Sequence, residues 1–189
     1  MGAIGQRGRG LADYWNVDPN EIDVQMGTFT KSFGAVGGYV AGKRTLVDYV
    51  RIYGHSDSYC EALPIPICQQ IISSIDVINS QDGQKRIQQL HLNSIYYRNE
   101  LKKLGFLVYG NSDSPVIPIL LCNPAKIHAF SKLCYDRNIA VVVVGFPATP
   151  IITARARICM SSALTREQLD YSLKCFSEIG DILMLKMCK

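Results

Sequence analysis

The sequence predicts a mixed α/β chain made of two unlike parts: a glycine-rich stretch with few strands, then a small α+β domain. Three observations predict it. A helical stripe near the middle of the chain closes on a glycine, short apolar runs dominate everything after it, and only two strand candidates precede it. The boundaries that follow are residues 1–81, a linking helix at 82–104, and a small domain at 105–189.

Each element has its own signal. "MGAIGQRGRG" opens the chain, and Gly2, Gly5, Gly8 and Gly10 make it a loop. "EIDVQM" (21–26) and "GGYVAG" (37–42) read as short strands. "KRTLVDYVRIY" (43–53) carries apolar residues at helical spacing. "PIPICQQIISSIDVIN" (64–79) is a second helix whose prolines fall where a helix entry tolerates them. From Asp82 to Leu104, Ile87, Leu90, Ile95, Tyr97, Leu101 and Leu104 form one stripe, and Gly105 stands where a helix ends. The runs "FLVY", "PVIPILL", "IAVVVV" and "ARICMS" then read as strands, interrupted by a helix from Pro124 to about Asn138. A last helix opens at Thr165, with Gln168 three residues on as a capping box. The domain from 105 onward is expected to be well formed and the first 81 residues more loosely held, because two strands of a larger sheet leave backbone groups unpaired.

Composition narrows the function classes. Hydrophobic residues make up 48% and charged residues 19% of the 189-residue chain, as in ordinary globular proteins. The net charge of +4 comes from scattered basic residues, which predicts a solvated surface and not a nucleic-acid footprint. Seven cysteines, at 60, 68, 122, 134, 159, 175 and 188, include no CxxC pair. They predict reduced thiols facing a cytosol-like compartment, with no disulfide framework. No apolar run is long enough for a membrane span, and the N-terminus lacks the apolar core of a signal peptide. His55, His91 and His128 have no metal-ligand spacing, so no metal site is expected. "GHSDS" around Ser56 lacks the second glycine of a nucleophile elbow.

The chemistry concentrates on "QMGTFTKSFGAVGGYVAG" (25–42). An NTPase phosphate loop needs glycines where Thr30 and Gln25 stand, and a dinucleotide fingerprint needs one where Asp13 stands. A Schiff-base lysine fits better: Lys31 has hydroxyls at Thr28 and Thr30 to take a cofactor phosphate, and Gly34, Gly37 and Gly38 allow close backbone approach. The alternative is an exposed lysine in a glycine-rich turn. In "ITARARICMSS" (152–162), Arg155 and Arg157 alternate with alanine and share one face of a strand. They read as surface residues of an edge strand, or as a bidentate grip on a carboxylate.

The same residues carry a family resemblance over nearly the whole chain. "GAIGQRGRGLADYW", "GTFTKSFGAVGGYVAGK", "VVGFPATPIITARARICMS" and "IGDILMLK" resemble, in the same order, the α-oxoamine synthases. Within that family they are most similar to the lysine-bearing long-chain-base subunits of serine palmitoyltransferase. The resemblance implies the C-terminal part of a fold type I pyridoxal-phosphate transferase, with residues 1–81 belonging to a partial large cofactor-binding domain. It implies Lys31 as the Schiff-base lysine, Thr28 and Thr30 on the cofactor phosphate, and Arg157 on the amino-acid carboxylate. The reaction implied is decarboxylative condensation of L-serine with palmitoyl-CoA to 3-ketodihydrosphingosine. The setting implied is a heterodimer with a lysine-less subunit 1 on the cytosolic face of the endoplasmic reticulum, with membrane association only through the full complex.

Three departures accompany the resemblance. The family's "DEAH"-like segment, which supplies an aspartate to the pyridine nitrogen and a histidine to the ring, precedes the "GAIG" that follows Met1 here. Leu164 stands where the family has the histidine of "AHT". "EALPIP" (61–66) stands where a "TSLSPP"-like stretch binds phosphate, and Glu61 brings negative charge there. The chain is therefore expected to be a C-terminal piece, catalytically poor or dead alone. The rival readings are 5-aminolevulinate synthase, glycine C-acetyltransferase, or a non-catalytic piece that occupies a partner subunit.

Overall fold

The computed structural model describes residues 1–187, and Ser56 and Asp57 by backbone alone. Cys188 and the side chain of Ser56 lie outside the described residues. The chain divides into two compact units, Met1–Ile87 and Gln88–Lys189.

In the first unit a short helix α1 (Leu11–Trp15) and a 3-10 turn (Pro19–Glu21) lead into strands β1 (Val24–Thr28) and β2 (Gly38–Gly42). These pair antiparallel, with Val24 opposite Gly42 and Thr28 opposite Gly38. Helices α2 (Arg44–Tyr53), α3 (His55–Tyr59) and α4 (Ile65–Asn79) follow. The prolines sit as expected, with Pro64 as the residue capping α4 and Pro66 in its first turn. The sequence missed α1 and α3, because five residues are too few to show a helical period. The turn into helix α5 (Gln81–Lys103) needs its glycine: a Cβ at Gly83 would lie 2.0 Å from the Val77 carbonyl oxygen. Ser80 accepts the Gly83 N–H at 3.2 Å and stops that turn from fraying.

The opening loop is built around a carboxylate. Asp13 accepts the Arg7 amide at 2.7 Å, the Arg9 amide at 3.3 Å and the Arg7 guanidinium at 3.3 Å. Burial alone would raise its pKa, but the two amides and the guanidinium outweigh that and hold it below its ordinary value.

The second unit has a sheet of three antiparallel strands in the order β3 (Val116–Leu120), β5 (Arg155–Cys159), β4 (Val142–Val144). "FLVY" makes no strand of its own; it contributes only a bridge from Phe106 to Lys186 and one from Val108 to Ile119. Helices α6 (Ala125–Tyr135) and α7 (Arg166–Ile182) complete the unit. Ile117, Ile119 and Ala156 turn one sheet face onto Tyr97 and Leu101 of α5, Phe130 of α6, and Leu169, Phe176 and Ile179 of α7. Phe130 and Phe176 stack with ring centroids 5.7 Å apart. The capping box forms as read: Thr165 Oγ1 accepts the Gln168 N–H at 3.3 Å, and Gln168 Oε1 accepts the Thr165 N–H at 3.0 Å.

Arg98 is fully buried in this unit and works as a staple. Its guanidinium donates to the carbonyls of Tyr109 at 2.8 Å, Val116 at 3.1 Å and Ser114 at 3.5 Å. It thereby holds the loop that delivers β3, while its Nε is buried without a hydrogen-bond partner.

Candidate functional site

Lys31 lies on the loop joining β1 to β2, and three backbone hydrogen bonds set that loop's path. Phe29 N–H donates to Gly37 O at 2.9 Å, Ala35 N–H to Phe29 O at 2.9 Å, and Gly34 N–H to Lys31 O at 3.0 Å. The curl requires left-handed backbone at Gly34 (φ 59°) and Gly37 (φ 88°), which explains the glycines.

Phe33 plugs the loop from below. Its side chain is 2% exposed and meets Phe29 edge-on at 5.2 Å. Its carbonyl accepts hydrogen bonds from Ser74 Oγ at 3.0 Å and Gln70 Nε2 at 3.3 Å, both on α4. The lysine two residues earlier is thus mounted on a fixed turn while its own side chain remains exposed.

Lys31 Nζ donates to Thr30 Oγ1 at 3.1 Å, and Thr30 Oγ1 donates to Thr28 Oγ1 at 3.5 Å. The three residues singled out in the sequence therefore form one chain of polar groups at the mouth of the hairpin. Thr28 also lines a hollow of about 670 Å³ with Gly37, Gly38, Arg51, Cys60 and Glu61. Gly38 keeps the hairpin closed there, because a Cβ would lie 2.6 Å from the Gly27 carbonyl oxygen. Thr30 and Lys31 do not line this hollow; an amine and two hydroxyls joined in one polar chain suit a ligand with an aldehyde and a phosphate. Glu61 opposes a phosphate in the same hollow, and Arg51, which lines it too, has the opposite charge.

Arg157 belongs to the second unit. It lies mid-strand on β5, which is the central strand of the sheet and not the edge strand the sequence suggested. Both flanking runs were read as strands, but their order around β5 was not, because strand order is a non-local property. Arg155 and Arg157 do share a face, but their surroundings differ. Arg155 Nη1 hydrogen-bonds the Tyr109 hydroxyl, and its guanidinium carbon lies 5.6 Å from the centroid of that ring. Arg157 is exposed and faces Pro118 on β3 and Val142 on β4, neither of which brings charge. A central arginine flanked by apolar cross-strand neighbours is suited to an external anion.

Leu164, which stands at the family's histidine position, is half-buried, and Asn93 of α5 grips its carbonyl at 3.2 Å and that of Ser161 at 3.1 Å. Signals that sequence reading missed were Phe33, Arg51 and Asp13. An aromatic two residues past a candidate lysine was the visible clue for the first; Arg51 meets the hollow only through the fold, and Asp13 binds amides four and six residues back that no sequence motif marks. Among the described residues, no helix is long and apolar enough to cross a membrane.

Comparison with known proteins gives a coherent result. A family model for aminotransferases of class I and II matches residues 5–176. Serine palmitoyltransferase 2 of Dictyostelium discoideum is 48% identical over 194 residues, covering 100% of this chain and 39% of its own length. Serine palmitoyltransferase 3 of Homo sapiens is 50% identical over 98% of this chain and 34% of its own. Long chain base biosynthesis protein 2a of Arabidopsis thaliana is 49% identical over 98% of this chain and 39% of its own. The chain thus spans between 34% and 39% of the length of these relatives. Among solved structures, a high-resolution structure of SPT with PLP matches at TM-score 0.89 and 25% identity, over 98% of this chain and 46% of that one. The 8-amino-7-oxononanoate synthase of Francisella tularensis shares the fold at TM-score 0.83 and 19% identity, over 96% of this chain and 52% of that one.

Proposed function

The chain belongs to the class I and II aminotransferase family, and we propose that it is part of the lysine-bearing subunit of a serine palmitoyltransferase, with pyridoxal 5'-phosphate as cofactor. The observation that carries the reading is the polar chain from Lys31 Nζ through Thr30 to Thr28 on a clamped loop. Support comes also from the near-50% identity to serine palmitoyltransferases and long-chain-base proteins.

In this reading the Lys31 amine would hold the cofactor, and the hydroxyls of Thr28 and Thr30 would donate to its phosphate. When bound, the cofactor supplies an electron sink for negative charge developed at a substrate α-carbon. Lys31, mounted at the loop tip, takes and returns a proton. Arg157 binds the carboxylate of L-serine. The overall reaction is condensation of L-serine with palmitoyl-CoA to 3-ketodihydrosphingosine, releasing CO2 and CoA. The partner is a lysine-less subunit 1, and the complex works at the endoplasmic reticulum membrane on its cytosolic face.

A second reading is favoured by Glu61. A carboxylate in the hollow that Thr28 lines weakens phosphate binding, and a chain that failed to hold the cofactor would serve only as an interaction partner. One experiment separates the two. The purified chain is mixed with pyridoxal 5'-phosphate beside Lys31→Ala, reduced with borohydride, and digested for mass spectrometry. Cofactor mass on the Lys31 peptide, together with a visible absorbance band absent from Lys31→Ala, is the expected result. Identical spectra and an unmodified Lys31 would refute the cofactor reading. Product formation from L-serine and palmitoyl-CoA, with and without subunit 1, then tests the substrates and partner.

A further inference from the structure

The Arg157 side chain hydrogen-bonds a thiol on its own strand. Arg157 Nε donates to Cys159 Sγ at 3.4 Å. The two residues are i and i+2 on β5, so they stand side by side on one sheet face. The residues opposite Arg157, Pro118 and Val142, have no side-chain acceptor to offer.

A guanidinium can take a carboxylate in two ways: side-on, across Nε and one terminal nitrogen, or end-on, across both terminal nitrogens. The sulfur occupies Nε and leaves the terminal pair for a ligand. We propose that Cys159 is a positioning residue that turns Arg157 so that an amino-acid carboxylate is gripped end-on. The inference rests on the reading of Arg157 as the carboxylate-binding group. Sulfur is a weak acceptor, so the contact steers the guanidinium without competing strongly for it.

The test uses the chain loaded with pyridoxal 5'-phosphate, comparing wild type, Cys159→Ala, Cys159→Ser and Arg157→Lys. The first readout is the Arg157 Nε–H resonance in nitrogen-edited NMR spectra, which reports on the contact without any substrate. The second is the Kd for L-serine by titration. Loss of one modest hydrogen bond corresponds to roughly a 3- to 10-fold change. Cys159→Ala is expected to speed solvent exchange of the Nε–H and raise the Kd about 3- to 10-fold, at an unchanged Tm. Cys159→Ser, which keeps an acceptor, is expected to restore both to within about twofold. Arg157→Lys is expected to weaken binding more than either. If Cys159→Ala leaves the Nε–H signal and the Kd as in wild type while Arg157→Lys weakens binding, the positioning role is overturned and the carboxylate reading stands. If Arg157→Lys also binds L-serine like wild type, both fall together.

Discussion

The two units are held together by different means. In Gln88–Lys189, side chains do the work: Leu101, Ile117, Ile119, Leu121, Phe130 and Ile179 have no exposed surface. In Met1–Ile87, the buried hydrophobic residues are Phe33, Ile71 and Ile87, while Trp15, Met26, Ile52, Tyr53 and Ile65 face solvent. What orders the first unit is the backbone itself. The amides on Asp13, the bonds that close the Lys31 loop, and contacts that only glycine permits at Gly38 and Gly83 take the place of a core. A packed unit loses stability when a side chain is cut back; a backbone-ordered unit loses it when a side chain is added.

Four changes test that contrast, from the largest expected effect to the smallest. Phe176→Ala empties the centre of the second unit and is expected to cost about 3–5 kcal/mol, read as a lower denaturant midpoint. If Phe33→Ala in the first unit cost as much, the contrast would fail. Arg98→Met removes three hydrogen bonds to carbonyls of half-buried residues and should cost about 3 kcal/mol, with hydrogen exchange accelerating first in residues 109–116. Normal protection there would show that the loop needs no staple. Gly38→Ala forces a Cβ onto the Gly27 carbonyl and is expected to cost about 1–3 kcal/mol, with loss of protection confined to the β1–β2 hairpin. An equal loss in the second unit would erase the distinction.

The smallest effect is one of pH. The folded-state pKa of Asp13 is depressed, so its contribution is fully present above the unfolded value, about 3.9. It is lost as pH falls through the lower folded value. Protection factors at Gly2–Gly10, taken relative to intrinsic exchange at each pH, should therefore fall in acid, and Asp13→Asn should flatten that dependence. Acid sensitivity that survives Asp13→Asn would assign the effect elsewhere. Cys134 supplies a control in the other unit: burial pushes its thiol up to about 12, so it should resist alkylation until the core opens.

The sequence disclosed what is local. The α5 stripe and the Thr165 capping box each depend on residues a few positions apart, and each formed as read; Thr28, Thr30 and Lys31, close in sequence, are also joined by hydrogen bonds. Helix α1 was hidden because five residues cannot show a period. "FLVY" looked like a strand because apolar β-formers resemble one, but the chain gave it only single bridges. The central place of β5 was hidden because it depends on pairing with Val116–Leu120, far back in the sequence, as well as with Val142–Val144. Cys159 was counted as one thiol among seven. Its contact with Arg157 is local in spacing, yet nothing in the composition separates a steering thiol from a surface one.

The Phe33 plug has a thermodynamic consequence. Ordering a residue's backbone costs roughly 1–2 kcal/mol of conformational entropy, and in a free loop that cost would fall due when a ligand arrived. Here Phe33, Ser74 and Gln70 hold the turn before anything binds. A ligand reaching Lys31 then meets a backbone with little freedom left to lose, so its binding should carry a small entropic penalty and a fast, single-step approach. Cutting the plug to alanine would transfer that penalty to the ligand, and calorimetry would find it in TΔS, with the direct contacts of Lys31 unchanged.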